Sequence, residues 1–261
     1  MTEFVTAPDG VRIAFEIVGQ GAPILLIHGF GSDRTQNWRA PGWYQTLTGA
    51  NYSVIALDCR GHGESDKPRQ AEDYAETRMA EDALLVMNAA GAAQAFVMGY
   101  SMGGAIAVRL AFQHPLSVRA LVTGGVGETY FSRTDAWRAG IAEALLAQDD
   151  AGLSPVQRMF RDFVSQPGKN AQALAACMRA SRGNLSPEQL TTISPPALVV
   201  CGEIDDVSGP PAPLAKCLAD ADAVVIPRRD HMLTVGDKLY KQAALRFLGR
   251  YSHPGFPVIK I

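Results

Sequence analysis

Short apolar runs and longer segments of helical periodicity alternate along most of the chain. Each run holds four or five apolar residues without polar alternation, which is typical of parallel strands covered on both faces. The runs lie at 24–27, 54–57, 95–98, 118–122, 197–201 and 223–226. Helix candidates lie between and after them, near 72–90, 102–113, 211–219 and 235–249. This alternation predicts an α/β fold with a mostly parallel, doubly wound sheet and right-handed crossovers.

The amino-terminal segment follows a different pattern. Apolar and polar residues alternate over 11–18, directly after a turn at Asp9-Gly10. Together with Phe4 and Val5, this alternation predicts a β-hairpin at an edge of the sheet.

One connection between predicted strands is far longer than a crossover requires. It covers 123–196, whereas a crossover takes about a dozen residues. Inside it, Ser154-Pro155 predicts a helix start with proline at the first helical position. Ser186-Pro187, followed by Gln189, resembles a capping box. The connection therefore contains helices of its own.

We interpret this insertion as a helical cap over the carboxyl edge of the sheet. An independent second domain is the less favoured alternative, because so short a segment buries only a marginal core by itself. The predicted organisation is a core at 1–126 and 191–261, with the cap inserted at 127–190.

Composition narrows the class of protein. The chain has 261 residues, 47% of them hydrophobic and 19% charged, with a mean hydropathy of +0.01. These values argue against disorder, collagen and coiled coils. The net charge of −2 provides no basic field for nucleic acid and no polybasic patch for a membrane. We expect a small molecule, rather than either of these, to be the partner.

Targeting and metal-binding signals are missing from the sequence. We find no apolar stretch long enough to cross a bilayer and no leader-like start, so we expect a cytoplasmic protein. The four cysteines form no close pair, and no P-loop, dinucleotide fingerprint or H-E-x-x-H motif occurs. We therefore expect no cofactor and no metal. The sequence does not predict an oligomeric state.

The first chemical signal follows the apolar run 95–98. Gly99-Tyr100-Ser101-Met102-Gly103 matches the G-x-S-x-G nucleophile elbow, in its required setting between a strand and a helix. A strained turn there projects the serine hydroxyl above the sheet, and the glycines relieve crowding around it. We predict that Ser101 is a nucleophile, with the Met102 N–H at the positive end of the helix.

A serine hydroxyl is a weak nucleophile at neutral pH and needs a neighbouring base. Histidine is the usual base, and the chain contains five. His231 follows the last apolar run, beyond the carboxyl end of a strand, where ligands of such sheets bind. We predict that His231 is the base. Local or surface roles are expected for the others, His28, His62, His114 and His253.

The base needs an acid to hold its tautomer. The loop after Cys201 offers Asp205 first, Asp206 second and Glu203 third, with Glu128 as an outside candidate. The sequence favours Asp205 over Asp206 only weakly, because a shift of one position in a loop reverses the direction in which a side chain points.

Acyl transfer also needs donors for a developing oxyanion. We expect the N–H groups of Met102 and Phe30 to form this oxyanion hole. Phe30 lies in the loop His28-Gly29-Phe30-Gly31, where Gly29 allows the backbone to turn toward Ser101. The Phe30 ring either flanks the acyl group or packs in the core.

These pieces together resemble the α/β-hydrolase superfamily, in its branch of small bacterial serine esterases, haloperoxidase-like enzymes and C–C hydrolases. The resemblance rests on 28–31, 58–66, 99–104, 202–205 and 230–231. It implies that the acid is the fourth residue of the G-x-x-D loop, which is Asp205. One departure is Asp230, which precedes the histidine where the family usually has glycine. Haloalkane dehalogenases and epoxide hydrolases of this fold carry aspartate at the elbow, so Ser101 argues against both.

The resulting hypothesis is a serine hydrolase that cleaves carboxylic esters of short to medium acyl chains, using the catalytic triad Ser101, Asp205 and His231 through an acyl-enzyme. The apolar residues of the cap provide a pool from which a pocket could be lined: Tyr130, Phe131, Trp137, Leu145, Met159, Phe160 and Phe163. Three alternatives stay open. They are a C–C bond hydrolase, a cofactor-free perhydrolase, and a ligand-binding signalling protein of the same fold.

Overall fold

The computed structural model describes residues 1–181 and 183–252. Within these residues, eight strands form one sheet in the order β1-β2-β4-β3-β5-β6-β7-β8. The strands are β1 (Glu3–Thr6), β2 (Arg12–Val18), β3 (Ala22–Ile27), β4 (Tyr52–Leu57), β5 (Ala95–Tyr100), β6 (Val118–Gly124), β7 (Ala197–Gly202) and β8 (Ala221–Ile226).

Helices connect most of the strands. The α-helices are α1 (Trp43–Thr48), α2 (Glu76–Ala89), α3 (Met102–Gln113), α4 (Asp135–Leu146), α5 (Pro155–Val164), α6 (Ala171–Arg179), α7 (Pro187–Leu190), α8 (Ala212–Cys217), α9 (His231–Thr234) and α10 (Lys238–Gly249). A π-helical turn lies at Thr35–Arg39, and 3₁₀ turns lie at Ala71–Tyr74, Pro115–Ser117 and Glu128–Tyr130. In the described part of the chain, none of the helices is both long and apolar enough to span a membrane.

The sheet topology confirms the predicted fold class. Strands β1 and β2 form the antiparallel hairpin at one edge, and β2 also pairs antiparallel with β4. All further pairings, from β4 and β3 through to β8, are parallel. Ile27 pairs with Gly99, so the loops that follow β3 and β5 leave the same edge of the sheet side by side. The predicted oxyanion loop and the predicted elbow therefore become neighbours.

Two apolar layers cover the sheet. One contains buried side chains of α2 and α3 together with cap residues such as Leu174 and Met178, which join the same cluster as Ile106. The other contains Trp43 of α1 and Phe247 of α10. Burial of both faces explains why the strands read as continuous apolar runs.

Strand β8 is an exception to the predicted burial of both faces. It lies at the edge of the sheet, and Val225 remains 49% exposed. Asp222 and Ala223 are exposed as well. The prediction of two covered faces is wrong for 223–226, because an apolar run shows which residues can be buried but not how far neighbouring helices extend.

Two helical segments between β3 and β4 were not predicted. The π-helical turn at Thr35–Arg39 and the six-residue helix α1 are separated by Pro41-Gly42, with Gly42 at φ 82°. They are too short to carry a periodic apolar pattern, and only packing reveals them. Trp38 and Trp43 are both fully buried, with ring centroids 5.8 Å apart in an edge-to-face contact.

Helices α4 to α7 lie inside the predicted cap, 127–190. Helix α5 begins after Ser154 and α7 after Ser186, as their Ser-Pro pairs predict. Both serines form complete capping boxes, with Gln157 and Gln189 respectively. These local contacts define the helix starts, because each box satisfies backbone N–H groups that the helix itself leaves open.

Candidate active site

Ser101 occupies the turn between β5 and α3. Its φ is 53° and its ψ is −115°, a backbone conformation that residues other than glycine rarely adopt. A Cβ atom at Gly99 would lie 2.1 Å from the Gly103 carbonyl oxygen, and one at Gly103 would lie 2.1 Å from that of Ile27. Both contacts are to backbone atoms that cannot move aside. Glycine is therefore required at both positions for a turn this tight.

His231 begins α9, directly after the loop that follows β8. Its side chain is buried, and its Nε2 lies 3.0 Å from Ser101 Oγ. The preceding Asp230 caps the helix by accepting hydrogen bonds from the N–H groups of Met232 and Leu233. The departure from glycine at 230 therefore has a local explanation, since aspartate is a preferred N-cap residue.

The structure brings Asp205 to the other ring nitrogen of His231. Nδ1 lies 2.9 Å from Oδ2 and 3.1 Å from Oδ1. Asp205 also accepts hydrogen bonds from the N–H groups of Val207 and Ser208 and from the Ser208 hydroxyl. Burial alone would raise the pKa of the Asp205 carboxyl, but the hydrogen bonds and charge of His231 and the donors of Ser208 lower it below its usual value. The carboxylate stays ionised and oriented.

The three other candidate acids lie elsewhere. Asp206, Glu203 and Glu128 are all exposed, and within the described residues none contacts the histidine ring. Glu203 instead accepts a hydrogen bond from the Arg228 N–H at 2.7 Å. Asp205 is buried whereas Asp206 is exposed, and this difference in burial separates the two neighbouring aspartates.

Tyr100 is a site residue that the sequence did not indicate. Its buried hydroxyl donates a hydrogen bond to the backbone carbonyl of His231, and the two rings lie 5.5 Å apart. Burial raises the pKa of Tyr100 well above its ordinary value, so the phenol remains a donor. Ser208 is a second such residue, through its bonds to Asp205. Tyr100 has no local sequence signal because its partner is distant along the chain, whereas Ser208 lies only three positions after Asp205.

The loop after β3 lies against the elbow. A Cβ atom at Gly29 would lie 3.4 Å from Ser101 Cβ, so the backbone of this loop passes close to the hydroxyl. The Gly29 N–H donates to Asn37 Oδ1 at 3.0 Å, and Asn37 belongs to the π-helical turn. No hydrogen bond within 1–181 and 183–252 uses the Phe30 N–H. Met102 is the first residue of α3, so no carbonyl group of that helix accepts a hydrogen bond from its N–H.

The other histidines have local partners. His28 is fully buried, with Nδ1 2.8 Å from the Gly29 carbonyl and Nε2 accepting the Cys59 N–H at 2.9 Å. Burial lowers its pKa, so the neutral ring acts as a structural bridge between two loops. His62 bonds the Arg60 carbonyl, and His114 bonds Glu81. His253 lies outside the described residues.

The segment 58–66 follows β4 at the same edge of the sheet as the loop after β3 and holds that loop through Asp58 and Arg34. The Asp58 carboxylate accepts hydrogen bonds from the backbone N–H groups of Arg34 and Glu64 at 2.8 Å each. It also pairs with the buried Arg34 side chain. Arg60 is fully buried and bonds Asp82 at 2.6 Å and Asp9 at 2.7 Å. The motif therefore acts as a largely buried ionic framework beside the loops, because Asp58 and Arg60 are both paired.

Two cavities meet at Ser101 in the described part of the chain. One, the Met102-side cavity, has a volume of about 80 Å³, and the other, the His231-side cavity, has a volume of about 320 Å³. Phe30, Ser101 and Phe160 line both. Of the predicted pool, Tyr130, Trp137 and Phe160 line the first, whereas Met159, Phe160 and Phe163 line the second. Phe131 and Leu145 line neither of them.

Within 1–181 and 183–252, no group of three or more His, Cys, Asp and Glu side chains could hold a metal ion. At Ser101 a hydroxyl, an imidazole and a carboxylate form one hydrogen-bonded chain, an arrangement that can activate the hydroxyl as a nucleophile.

Comparison with known proteins extends this picture. A model of the family described as alpha/beta hydrolase fold matches residues 22–217. Over 122 residues, or 46% of the chain, the sequence is 34% identical to bifunctional epoxide hydrolase 2 of Rattus norvegicus. It is 36% identical, over an equally long region, to 2-hydroxymuconate semialdehyde hydrolase of Pseudomonas putida. These alignments span 21% and 42% of the two relatives, which is less than half of either protein.

Among solved structures, a thermophilic esterase from Thermogutta terrifontis, with malate bound, superimposes with a TM-score of 0.77. The two sequences are 25% identical, and the match covers 97% of this chain and all of the esterase chain. The similarity thus extends over both the sheet and the inserted helices.

Proposed function

Because the chain belongs to the alpha/beta hydrolase fold family, we propose that it is a serine hydrolase that cleaves carboxylic esters of short to medium acyl chains. One observation carries the proposal. Ser101 Oγ, His231 and Asp205 form a continuous hydrogen-bonded chain, with contacts of 3.0 and 2.9 Å. Similarity to the Thermogutta terrifontis esterase along the whole chain supports the ester as substrate.

The first half of the reaction forms an acyl-enzyme. Ser101 Oγ attacks the ester carbonyl carbon while its proton passes to His231 Nε2. The carbonyl oxygen becomes an oxyanion, which accepts hydrogen bonds from the N–H groups of Phe30 and Met102. Asp205 stabilises the imidazolium and keeps its ring oriented. The tetrahedral intermediate then collapses, and His231 Nε2 gives the proton to the departing alcohol oxygen.

The second half restores the enzyme. Water takes the place of the alcohol and attacks the acyl carbon, again with His231 Nε2 as general base. Collapse of the second intermediate releases the carboxylic acid and returns the proton to Ser101 Oγ. The same oxyanion donors serve both halves, since the charge develops on the same oxygen.

The proposal is tested with p-nitrophenyl butyrate and a fluorophosphonate. We expect rapid turnover with a burst of one p-nitrophenolate per chain, and a phosphonyl adduct on Ser101 located by mass spectrometry. Negligible turnover with no adduct, together with tight binding of a small ligand, would instead support the signalling-protein alternative.

A C–C bond hydrolase is the second candidate. The identity with 2-hydroxymuconate semialdehyde hydrolase favours it, and the same three side chains could serve a vinylogous diketone. A panel that includes such a diketone distinguishes the candidates by the ratio of kcat/KM values. Hydrogen peroxide added to the ester assay tests the perhydrolase alternative, in which peroxide intercepts the acyl-serine. An epoxide hydrolase is disfavoured, since Ser101 stands where those enzymes carry aspartate.

A further inference from the structure

The location of His231 assigns the two cavities to the two halves of an ester; this step rests on the proposed function. The departing alcohol oxygen must receive its proton from His231 Nε2, so the alcohol lies on the histidine side of Ser101. His231 lines one of the two cavities, and Met102 lines the other. The alcohol therefore belongs in the His231-side cavity and the acyl group in the Met102-side cavity.

The two cavities differ in charge. The described lining of the His231-side cavity contains no Asp, Glu, Lys or Arg side chain. It is built mainly from apolar groups such as Met159, Phe163 and Leu233. The Met102-side cavity includes three ionic residues, Glu76, Arg133 and Arg138, among its lining. An ester that fits both cavities is neutral at its alcohol end and polar at its acyl end.

The side chain of Arg138 is largely buried and makes few bonds. Its side chain is only 10% exposed, and its guanidinium contacts Asp135, which is 71% exposed. A second bond, to the Arg133 carbonyl, is 3.4 Å long. Within the described residues the buried Nε has no hydrogen-bond partner. A buried cation with an open donor is costly, and a ligand acceptor would offset that cost.

The charges of the residues that line the Met102-side cavity favour an anion. Glu76 is 1% exposed, and its carboxylate lies 3.7 Å from the guanidinium of Arg109, which is outside the cavity lining. Arg133 lies over the Trp137 ring, at 4.9 Å from its centroid, and donates to the Val207 carbonyl. The lining thus contains two guanidinium groups and one carboxylate, and that carboxylate lies near a third guanidinium, that of Arg109.

We propose that the acyl half of the substrate ends in a carboxylate, which binds beside Arg138, and that the alcohol half is neutral and apolar. The substrate class is then a half-ester of a dicarboxylic acid. Cleavage of such an ester releases the dicarboxylic acid and the free alcohol.

Matched benzyl esters test this assignment on the unmodified protein. Benzyl hydrogen adipate, benzyl hexanoate and benzyl 6-aminohexanoate share one chain length and differ in the charge at the acyl end. We expect kcat/KM for the adipate half-ester to exceed that for the hexanoate by at least about tenfold, and the amino ester to be the poorest. Equal rates, or a preference for the neutral or cationic ester, would overturn the inference.

Failure of this inference differs visibly from failure of the proposed function. If all three esters are hydrolysed without preference for the anion, and fluorophosphonate abolishes the activity, the serine esterase stands and the carboxylate subsite does not. If none of the esters is hydrolysed, the esterase proposal itself fails.

Two substitutions locate the subsite. In Arg138→Met we expect the adipate-to-hexanoate ratio to fall toward one, whereas Arg161→Met should keep it. Arg161 is a matched control, because it lies in the cap, pairs with Asp150 and lines neither cavity. The ratio is insensitive to the fraction of folded protein, so partial unfolding cannot imitate the effect. A full preference retained in Arg138→Met would contradict the role of Arg138.

Discussion

The loops of the core and helix α5 of the cap both border Ser101, but they are built differently. In the core, Ser101, Asp205 and His231 follow or precede regular elements at one edge of the sheet, and each is held by bonds to backbone or buried partners. Helix α5 of the cap buries Val164 alone among its ten residues, and its Phe160 is only partly covered. The residues that we predict to react, which need exact placement, thus belong to the more deeply buried part of the chain.

This difference separates two kinds of effect. A change in the core loops should alter whether bonds are broken at all, since sub-ångström placement of the reacting groups decides the rate. A change in α5 should alter which substrate fits, since its side chains contact the cavities by shape. The following substitutions test that separation, from the largest expected effect to the smallest.

Ser101→Ala should reduce kcat for p-nitrophenyl butyrate by roughly 10⁶-fold, because no other hydroxyl can form the acyl-enzyme. The fold should persist, since alanine carries the same Cβ into the strained turn. Circular dichroism and thermal melting check the fold, and steady-state kinetics check the rate. A variant that keeps half the activity would exclude the covalent mechanism.

Asp205→Asn should lower kcat on the order of 10⁴-fold, because an amide cannot hold the required tautomer of His231 or stabilise its cation. Asp206→Asn is the control, since Asp206 is exposed and should tolerate the change within about twofold. The measurement is kcat on the same ester. If Asp206→Asn were the damaging substitution, the assignment of the acid would be wrong.

Phe160→Ala should shift selectivity rather than abolish activity. The Phe160 ring lies 5.9 Å from that of Phe30 and 6.0 Å from that of Trp137, and it lines both cavities, so we expect it to separate them. Its removal joins them, so we expect the octanoate-to-butyrate ratio of kcat/KM to rise by about tenfold. Phe163→Ala, in the same helix, is the control, because Phe163 lines the His231-side cavity but not the Met102-side cavity. An identical change in both variants would refute the separating role.

Lys169 should make the free energy of unfolding depend weakly on pH. Its Nζ donates to the Phe163 carbonyl and lies 3.5 Å from the centroid of that ring. Burial lowers the pKa of Lys169 to about 8, although Asp33 opposes this shift. Between pH 8 and the ordinary lysine value, the unfolded chain binds more protons than the folded chain, so the free energy of unfolding rises with pH.

Relative to Lys169→Met, wild type should therefore gain up to about 1 kcal/mol between pH 7 and pH 10, after allowance for solvent screening. Urea unfolding of both proteins at three pH values measures the difference. A difference that stays constant with pH would show that the lysine titrates alike in both states.

Much of the architecture was predictable because its signals are local. The apolar runs predicted the parallel strands, apolar–polar alternation predicted the hairpin, and helical periodicity predicted the longer helices of the core. The two Ser-Pro pairs predicted helix starts in 127–190. The elbow was recognisable because its glycines and its position between strand and helix belong to one short segment. The π-helical turn, α1 and the exposure of β8 were not predictable, since they depend on packing with distant segments.

Periodicity and turn chemistry are interactions between neighbours in the chain, so the amino-acid order alone was enough to establish the α/β class and to name a small set of chemical groups. The contacts of His231 with Ser101, Tyr100 and Asp205 join residues far apart along the chain, so folding alone assembles them. The division of the space around Ser101 into a neutral and an ionic cavity has the same origin. It arises where the helices of 127–190 pack against the loops at the carboxyl edge of the sheet. The surroundings of each side chain there are set by residues distant in the sequence, which no local pattern contains.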